Sequence, residues 1–542
     1  GDEVKHTVLE LGGSDPFVVM PSADLQRAAE VATTARCQNN GQSCIAAKRF
    51  IVHADVAEEF ERRFAEQLGG LRVGDPMLAD TDLGPLATEQ GRTDVEELVA
   101  DAVATVRAFG VPGDDVDQLL DGPFADPQFR RELQDRALRR TVQRTAKVSP
   151  YYRRLLHADG INATDVTIDT FSALPLTRKA DLVGEPAAFL AEGSRPVLAT
   201  RSTGSTGLPV TVWLSRYETE LWPALAALAG VLRGELTPSD CMQVNISSRA
   251  TAAVQQDVSV CRLAGASCLV LGLIPPADSL QVLLSNPRPT LLATYPSYLA
   301  ELVHAARHRG LRAEHFALRR IDVGGEVLSA SLVRAAQHTL GAPVSDTFAM
   351  TEVLPVSARS CTRGHLHHDL NTGYVEVLDL TTGRPAGPGQ LGTVVITPYY
   401  PYRDCMPVLR YDTRDVVRQL QPGRLSCELA GTPATSLVLG KADQLLSLPD
   451  ATITPRDLID RLEALPTDPW PVRYGIRHGD NGPLLQLTPD TLGELTPAAL
   501  AADLRQAGFA LDVEQAIARP GSPLRRLRSD LVEHTFTGEQ RP

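Results

Sequence analysis

The stretch Arg201-Ser202-Thr203-Gly204-Ser205-Thr206-Gly207-Leu208-Pro209 constrains this chain more than any other. It lies between two apolar runs, Pro196–Thr200 and Val210–Leu214. Their composition predicts two strands joined by a tight turn. Gly204 and Gly207 let the backbone turn and expose its N–H groups, and Ser202, Thr203, Ser205 and Thr206 add hydroxyl donors. Donors concentrated on a short concave turn are suited to holding phosphate oxygens. A polar turn between two strands has the same composition, so the loop alone leaves both readings open.

Later segments decide between them. In order along the chain stand Val323-Gly324-Gly325-Glu326, Asp346-Thr-Phe348-Ala-Met-Thr351-Glu352, Leu409-Arg410-Tyr411-Asp412-Thr413-Arg414-Asp415 and Leu439-Gly440-Lys441-Ala442-Asp443. Upstream are Thr145–Arg153 and Leu174-Pro-Leu-Thr-Arg-Lys179-Ala-Asp181-Leu182. Together, from about residue 118 to about 530, these segments resemble the adenylate-forming (AMP-binding) enzymes, and their phenylacetate–CoA ligase branch most closely. The resemblance implies a large layered α/β domain over 118–438 and a small α/β lid over 439–542. It also implies an acid–thiol ligase that uses ATP, Mg2+ and coenzyme A. A small aryl or acyl carboxylic acid becomes an acyl adenylate and then a thioester, with a carrier-protein thiol as the second choice of acceptor.

The same resemblance assigns residues. Ser202, Thr203, Gly204, Ser205, Thr206 and Gly207 would hold the β- and γ-phosphates. Thr351 would touch the α-phosphate and Glu352 would hold magnesium. Asp415 would accept from the ribose hydroxyls. Gly324, Gly325 and Glu326 would line the adenine pocket, with Phe348 beside it. Lys441 and Asp443 mark the hinge, and Tyr295, Ser297 and Tyr298 border the acyl pocket. Two positions depart from the pattern: Leu208 stands where the loop usually has lysine, and Lys441 is the last lysine in the sequence. The tail segment Pro520–Arg528 offers arginines where the family carries a lysine. A planar guanidinium is not equivalent to an ammonium, so impaired adenylation is expected. A degenerate nucleotide-binding protein without turnover is the reading this departure favours.

Cys361, His365, His367 and His368, with Cys405 and Cys427 later, form a further group, and some members of the resembled family hold a structural zinc hereabouts. Zinc takes four ligands; Cys361-x3-His365-x-His367 could supply two or three, and Cys361, His367 and Cys427 are the candidates. The close cysteine pair that marks strong zinc sites is missing, which favours loop histidines and buried cysteines.

The first hundred residues differ in kind. Val8-Leu-Glu10-Leu-Gly-Gly13 and Asn40-Gly-Gln-Ser-Cys44-Ile-Ala-Ala-Lys-Arg49, with Leu71–Pro76 and Asp82–Leu86, resemble aldehyde dehydrogenases over residues 1–104. That likeness makes Glu10 the general base and Cys44 the nucleophile of an oxidoreductase. The nicotinamide-binding half is not in the sequence, so NAD(P) is not expected and an incomplete fused fragment is. Residues 105–117, with Gly110, Pro112 and Gly113, read as a junction.

At 542 residues the chain has room for three or four domains. A net charge of −13 without a long basic run argues against nucleic acid and anionic membranes as partners. No apolar run reaches the ~18 residues that span a bilayer. Eight scattered cysteines do not form a disulfide framework, and cytoplasm is the expected compartment. The chain opens on Gly1 rather than methionine, so a trimmed N-terminus is expected. Locally, Ser22 is expected to cap a helix ending at Cys37, and one helical stretch to run from Pro127 to Leu156. Cys268–Ile274 is expected as a buried strand, and Cys241, Cys261 and Cys268 as core residues.

Overall fold

A computed structural model describes residues 16–84, apart from 42, 44, 45 and 79, and residues 122–515, apart from 203–208, 249, 422–424, 428, 449–451, 466–471, 480 and 481. The chain forms two compact units, Gly1–Gly110 and Val111–Pro542.

In the first unit, β1 (Pro16–Val19) pairs in parallel with β2 (Arg49–Val52), setting Phe17 opposite Phe50. A parallel pair needs a crossover, supplied by α1 (Leu25–Cys37). Its cap is Asp24, not Ser22: the Asp24 carboxylate accepts from the Arg27 N–H at 3.1 Å. Ser22 lies in the preceding turn, which Ala23 N closes on the Met20 carbonyl. α2 (Ala57–Gly69) turns Phe60 and Phe64 inward, and Phe64 lies 4.8 Å from the Phe50 ring.

The second unit opens with α3 (Pro127–Val148), shorter than its pattern predicts. Pro150 cannot continue the hydrogen-bond ladder and holds Ser149 extended (φ −96°, ψ 117°), so a separate helix, Pro150–Ala158, follows. A short helix, α4 (Lys179–Gly184), and the hairpin β3 (Pro196–Arg201)–β4 (Thr211–Ser215) come next. α5 (Arg216–Leu232) then begins at a capping box made by Ser215 and Glu218.

The eight-stranded sheet follows: β5 (Cys241–Asn245), β6 (Ser267–Val270), β7 (Leu291–Thr294), β8 (Arg320–Gly324), β9 (Val344–Ala349), β10 (Ser357–Ser360), β11 (His365–His368) and β15 (Thr435–Ser436). Its spatial order is β15-β11-β10-β9-β8-β7-β5-β6. β5 to β9 pair in parallel and the remainder antiparallel. Helices α6 (Thr251–Ala264), α7 (Pro276–Leu284), α8 (Pro296–His308) and α9 (Ala330–Leu340) link the parallel strands. On one face Ile321 and Val323 pack against Leu299, Val303 and Leu332, and on the other Met242 and Val244 pack against Cys261. This is the layered α/β architecture expected for the region.

The run Cys268–Ile274 is not the buried strand expected. β6 is the sheet's edge, which leaves Leu269 and Val270 exposed and Cys268 half-buried, as is Cys241, while Cys261 is fully buried. A second, antiparallel sheet holds β12 (Gly373–Asp379), β13 (Leu391–Pro398), β14 (Tyr411–Arg418) and β16 (Gly440–Lys441). The C-terminal part builds a small α/β core from α10 (Pro455–Leu462), β17 (Tyr474–Gly479), β18 (Gly482–Leu487), α11 (Pro497–Gln506) and β19 (Asp512–Gln515). Val327, just after β8, packs into that core, and Ala330 N donates to Asp460 at 2.9 Å. No helix among the described residues is long and apolar enough to cross a membrane.

Candidate functional site

The β3–β4 hairpin frames the glycine- and hydroxyl-rich loop. Its neck closes at Ser202, whose N–H donates to the Val210 carbonyl and whose Oγ accepts from Val210 N, each at 2.9 Å. Ser202 is thereby half committed to the turn. Thr203, Gly204, Ser205, Thr206 and Gly207 lie outside the described residues, as do Glu10, Cys44 and the arginines of the tail. Below the loop, Val210, Val212 and Leu214 sink into one hydrophobic core with Phe348, Val353, Leu354, Leu409 and Tyr411. Three motifs distant in sequence are therefore fixed to a single packed body, with the rigidity that close packing gives.

The second motif ends β8. A Cβ at Gly324 would stand 2.5 Å from the Thr347 carbonyl oxygen, so no side chain fits between β8 and β9 there. Gly325 adopts φ +79°, with the Tyr295 ring 3.5 Å from where its Cβ would be. Glu326 turns back to α8, accepting from Ser297 N at 2.9 Å, and so serves as that helix's cap. Tyr298 belongs to the core, and its hydroxyl donates to the Ile274 carbonyl at 2.5 Å. Phe348 is buried in β9, edge-on to His368 with ring centres 5.9 Å apart.

β9 runs directly into Thr351–Val353, a single helical turn that buries Glu352 to 4% exposure. Around Glu352 stand Arg403, Tyr411 and Lys179, all within electrostatic reach. Burial pushes the Tyr411 phenol far above its ordinary value, and the Glu352 charge adds to that. Arg403, itself fully buried, is held by the Met406 carbonyl at 2.8 Å. Asp415 and Lys441 face each other across β14 and β16. The Lys441 ammonium donates to Asp415 Oδ2 at 2.9 Å and to the Thr413 carbonyl at 3.0 Å. Burial raises the Asp415 carboxyl above its usual range while Lys441 opposes the shift. Asp443, two residues on, is exposed.

The cysteine–histidine group closes up away from these residues. Strand alternation puts His365 and His367 on one face of β11 and Leu366 and His368 on the other. Ligand atoms of Cys361, His365, His367 and Cys427 all lie within 4.8 Å of one another. His367 Nδ1 bonds Thr432 Oγ1 at 2.9 Å, which leaves Nε2 directed at Cys427 Sγ, 3.5 Å away. The His365 Nδ1 is buried with no hydrogen-bond partner. Two thiols and two imidazoles, with an outer hydroxyl orienting one ring, fit a closed four-coordinate zinc site. The pattern Cys361-x3-His365-x-His367 already offered His365, and strand alternation selects it over His368 as the ligand to add to Cys361, His367 and Cys427.

Comparison with known proteins follows the same division. Residues 1–135 match the aldehyde dehydrogenase family and residues 156–400 match the AMP-binding enzyme family. The N-terminal part is 60% identical over 126 residues to a succinate-semialdehyde dehydrogenase [NADP(+)] of Mycobacterium avium, covering 23% of this chain and 25% of that protein. It is 65% identical over 104 residues to succinate-semialdehyde dehydrogenase [NADP(+)] 1 of Mycobacterium tuberculosis, covering 19% of this chain and 23% of the other. The chain thus spans about a quarter of the length of these curated relatives. Among solved structures, 2-hydroxyisobutyryl-CoA ligase with 2-HIB-AMP in its postadenylation state superposes with TM-score 0.58 at 19% identity, covering 76% of this chain and 88% of that one. Its open form with 2-HIB-AMP and CoA gives TM-score 0.51 at 20% identity, covering 76% and 90%. The chain joins an aldehyde dehydrogenase-like fragment to an AMP-binding domain with the fold of these ligases.

Proposed function

We propose that the second unit activates a small carboxylic acid with ATP and passes the acyl group to a thiol, in the manner of phenylacetate–CoA ligases. The observation that carries this reading is the shared core. It anchors the phosphate-loop hairpin, the Thr351–Glu352 turn and the start of the strand bearing Asp415. In the first step a carboxylate oxygen bonds to the α-phosphorus of ATP, the bond to the bridging oxygen breaks, and pyrophosphate leaves. In the second, a thiolate sulfur bonds to the acyl carbon and AMP departs. Neither step needs a covalent bond to the protein, so positioning and charge stabilisation supply the rate.

The roles proposed are those of the motifs these residues resemble. The loop Ser202–Gly207 offers donors to the β- and γ-phosphates, and Thr351 offers its hydroxyl to the α-phosphate. Glu352 would hold Mg2+, which would neutralise phosphate charge. Asp415 presents the oxygen that Lys441 leaves unbonded to the ribose, and Gly324 and Gly325 give the adenine a rim free of side chains. Glu326, Ser297 and Tyr298 support that rim from behind, Phe348 backs it, and Tyr295 lines the acyl side. Lys441 and Asp443 form the hinge. Coenzyme A is the preferred acceptor, ahead of a carrier-protein thiol. Zinc, if bound, would be held by Cys361, His365, His367 and Cys427 and would tie the β10–β11 hairpin to the segment before β15.

The test is ATP–pyrophosphate exchange with Mg2+ over a panel of aryl and acyl acids. The expected outcome is exchange that requires an acid and falls ~100-fold or more in Glu352→Gln. Exchange with no acid in the panel would sink the ligase reading and leave a nucleotide-binding protein without turnover.

A further inference from the structure

Three of the chain's eight cysteines, Cys241, Cys261 and Cys268, stand on or beside one edge of the eight-stranded sheet. β6 is that edge, and among the described residues it pairs only with β5. Met242 of β5 and Cys268 of β6 are register partners, so their side chains point to the same face of the sheet. α6 packs on that face, and Cys261, in its last turn, sets its Sγ 3.9 Å from Met242 Sδ. Cys268 packs against the same cluster. Cys241 is one residue back on β5 and points to the opposite face.

The chain between the two thiols is short and fixed. Gly265 ends α6 at φ +76°, a conformation that favours glycine, and Ala266 N then donates to the Cys261 carbonyl at 2.9 Å. Ser267 N donates to the Asp240 carbonyl at 2.9 Å and starts β6. The helix end is thereby folded back onto the second residue of the edge strand. The Cys261 thiol, fully buried, hydrogen-bonds the Cys268 sulfur. That contact holds the Cys268 thiol below the ordinary cysteine value, against the opposing effect of burial, and pushes Cys261 up. Cys268 is half-buried, and Leu269 and Val270 beside it are exposed, so the strand's side of the pair is open to solvent. A partly exposed thiol with thiolate character, next to a second, shielded thiol, is the arrangement that peroxides oxidise.

We propose that Cys268 is a site of oxidation by peroxides and that Cys261 resolves it to an intramolecular disulfide joining α6 to β6. The Cys268 sulfur bonds to one peroxide oxygen, the O–O bond breaks, and the departing hydroxide takes the thiol's proton to leave as water. The Cys261 sulfur then bonds to the sulfur of the Cys268 sulfenic acid, the S–O bond breaks, and a second water leaves with the Cys261 proton. Two thiols give up two electrons and one peroxide takes them. A dithiol reductant reverses the change by exchange. The site stands apart from the ligase reading and does not depend on it.

The experiment treats the reduced full chain with hydrogen peroxide, blocks the remaining thiols and maps every cysteine by mass spectrometry. Arg262 lies between the two cysteines, so trypsin releases them on separate peptides and a disulfide shows as a linked pair. Cys241, also half-buried and with its thiol raised by burial, is the internal comparison. The expected result is a Cys261–Cys268 link that dithiothreitol removes, with Cys268 consumed ~10-fold or more faster than Cys241. In Cys261→Ser the link is lost and dimedone traps Cys268 as a sulfenic acid, while Cys268→Ser leaves Cys261 reduced. Cys268 consumed no faster than Cys241, or both thiols surviving an excess of peroxide, would overturn the proposal. So would a link from Cys268 to any cysteine other than Cys261. The linkage map comes from the parent chain and stands whether or not either variant folds.

Discussion

At the scale of single residues, the metal cluster shows what one side chain's direction decides. His365, His367 and His368 are neighbours in sequence, yet only the first two share a face, and Cys427 arrives from 60 residues beyond His367. Burial holds the third, His368, down to about 4, so it stays neutral in the core beside Phe348. If the four ligands bind zinc, the full chain purifies with one equivalent per molecule by elemental analysis. Cys427→Ser then loses the metal and melts several degrees lower, since a structural zinc contributes folding energy directly. A metal-free chain that is unchanged by that substitution would refute the site. The sequence carries the ligand types in plain view, but their convergence depends on pairing β11 with β10 and β15, which spacing alone does not encode. Glu326 adds a contact that its glycine motif does not announce: one carboxylate oxygen accepts from the first turn of α8.

At the scale of elements, periodicity and punctuation were legible wherever local chemistry dominates. The hairpin around the phosphate loop, the apolar strands Leu291–Thr294 and Val394–Ile396, and the helix through Leu299–Arg307 all follow from pattern. Edge position was not legible, because an apolar run looks alike at the centre and the rim of a sheet; hence β6 and its exposed Leu269 and Val270. The seating of the C-terminal elements was also hidden, since it turns on long-range polar contacts. Arg456 of α10 donates to the Val438 carbonyl at 2.8 Å and to the Leu328 carbonyl, and lies 3.7 Å from Asp346 of β9. Burial raises the Asp346 carboxyl to about 6, with Arg456 pulling the other way. Between about pH 4 and about pH 6 the folded protein therefore keeps a proton that the unfolded chain has released. That contribution to stability is complete below about pH 4 and is lost as pH rises through about 6. Asp346→Asn, which does not titrate, is expected to gain about 2 kcal/mol relative to the parent between pH 4.5 and 7.5. Urea unfolding at both pH values measures it, and a difference that does not change with pH would show that Asp346 is ionised throughout.

At the scale of the molecule, the two units carry separate interiors. Among the described residues the first packs Val19, Ala29, Ala32 and Phe60 with the rings of Phe17, Phe50 and Phe64. The second builds its layers from cores that begin at Leu138. Cooperativity follows shared packing, so chains with separate cores melt in separate steps. Calorimetry of the full chain is expected to resolve two transitions. Among its described residues the first unit buries few large side chains, and a small core contributes little stability, so its transition is expected to be the lower one. Mass action then assigns the other. On the proposed function, ATP with Mg2+ binds only the folded nucleotide site, and at 100 times its dissociation constant adds about 2.7 kcal/mol to the unit that holds it. The upper transition should therefore move up with nucleotide while the lower one stays in place. A single transition, or two that rise together, would mean that the aldehyde dehydrogenase-like part is energetically continuous with the AMP-binding domain, and that the fusion is one folding unit.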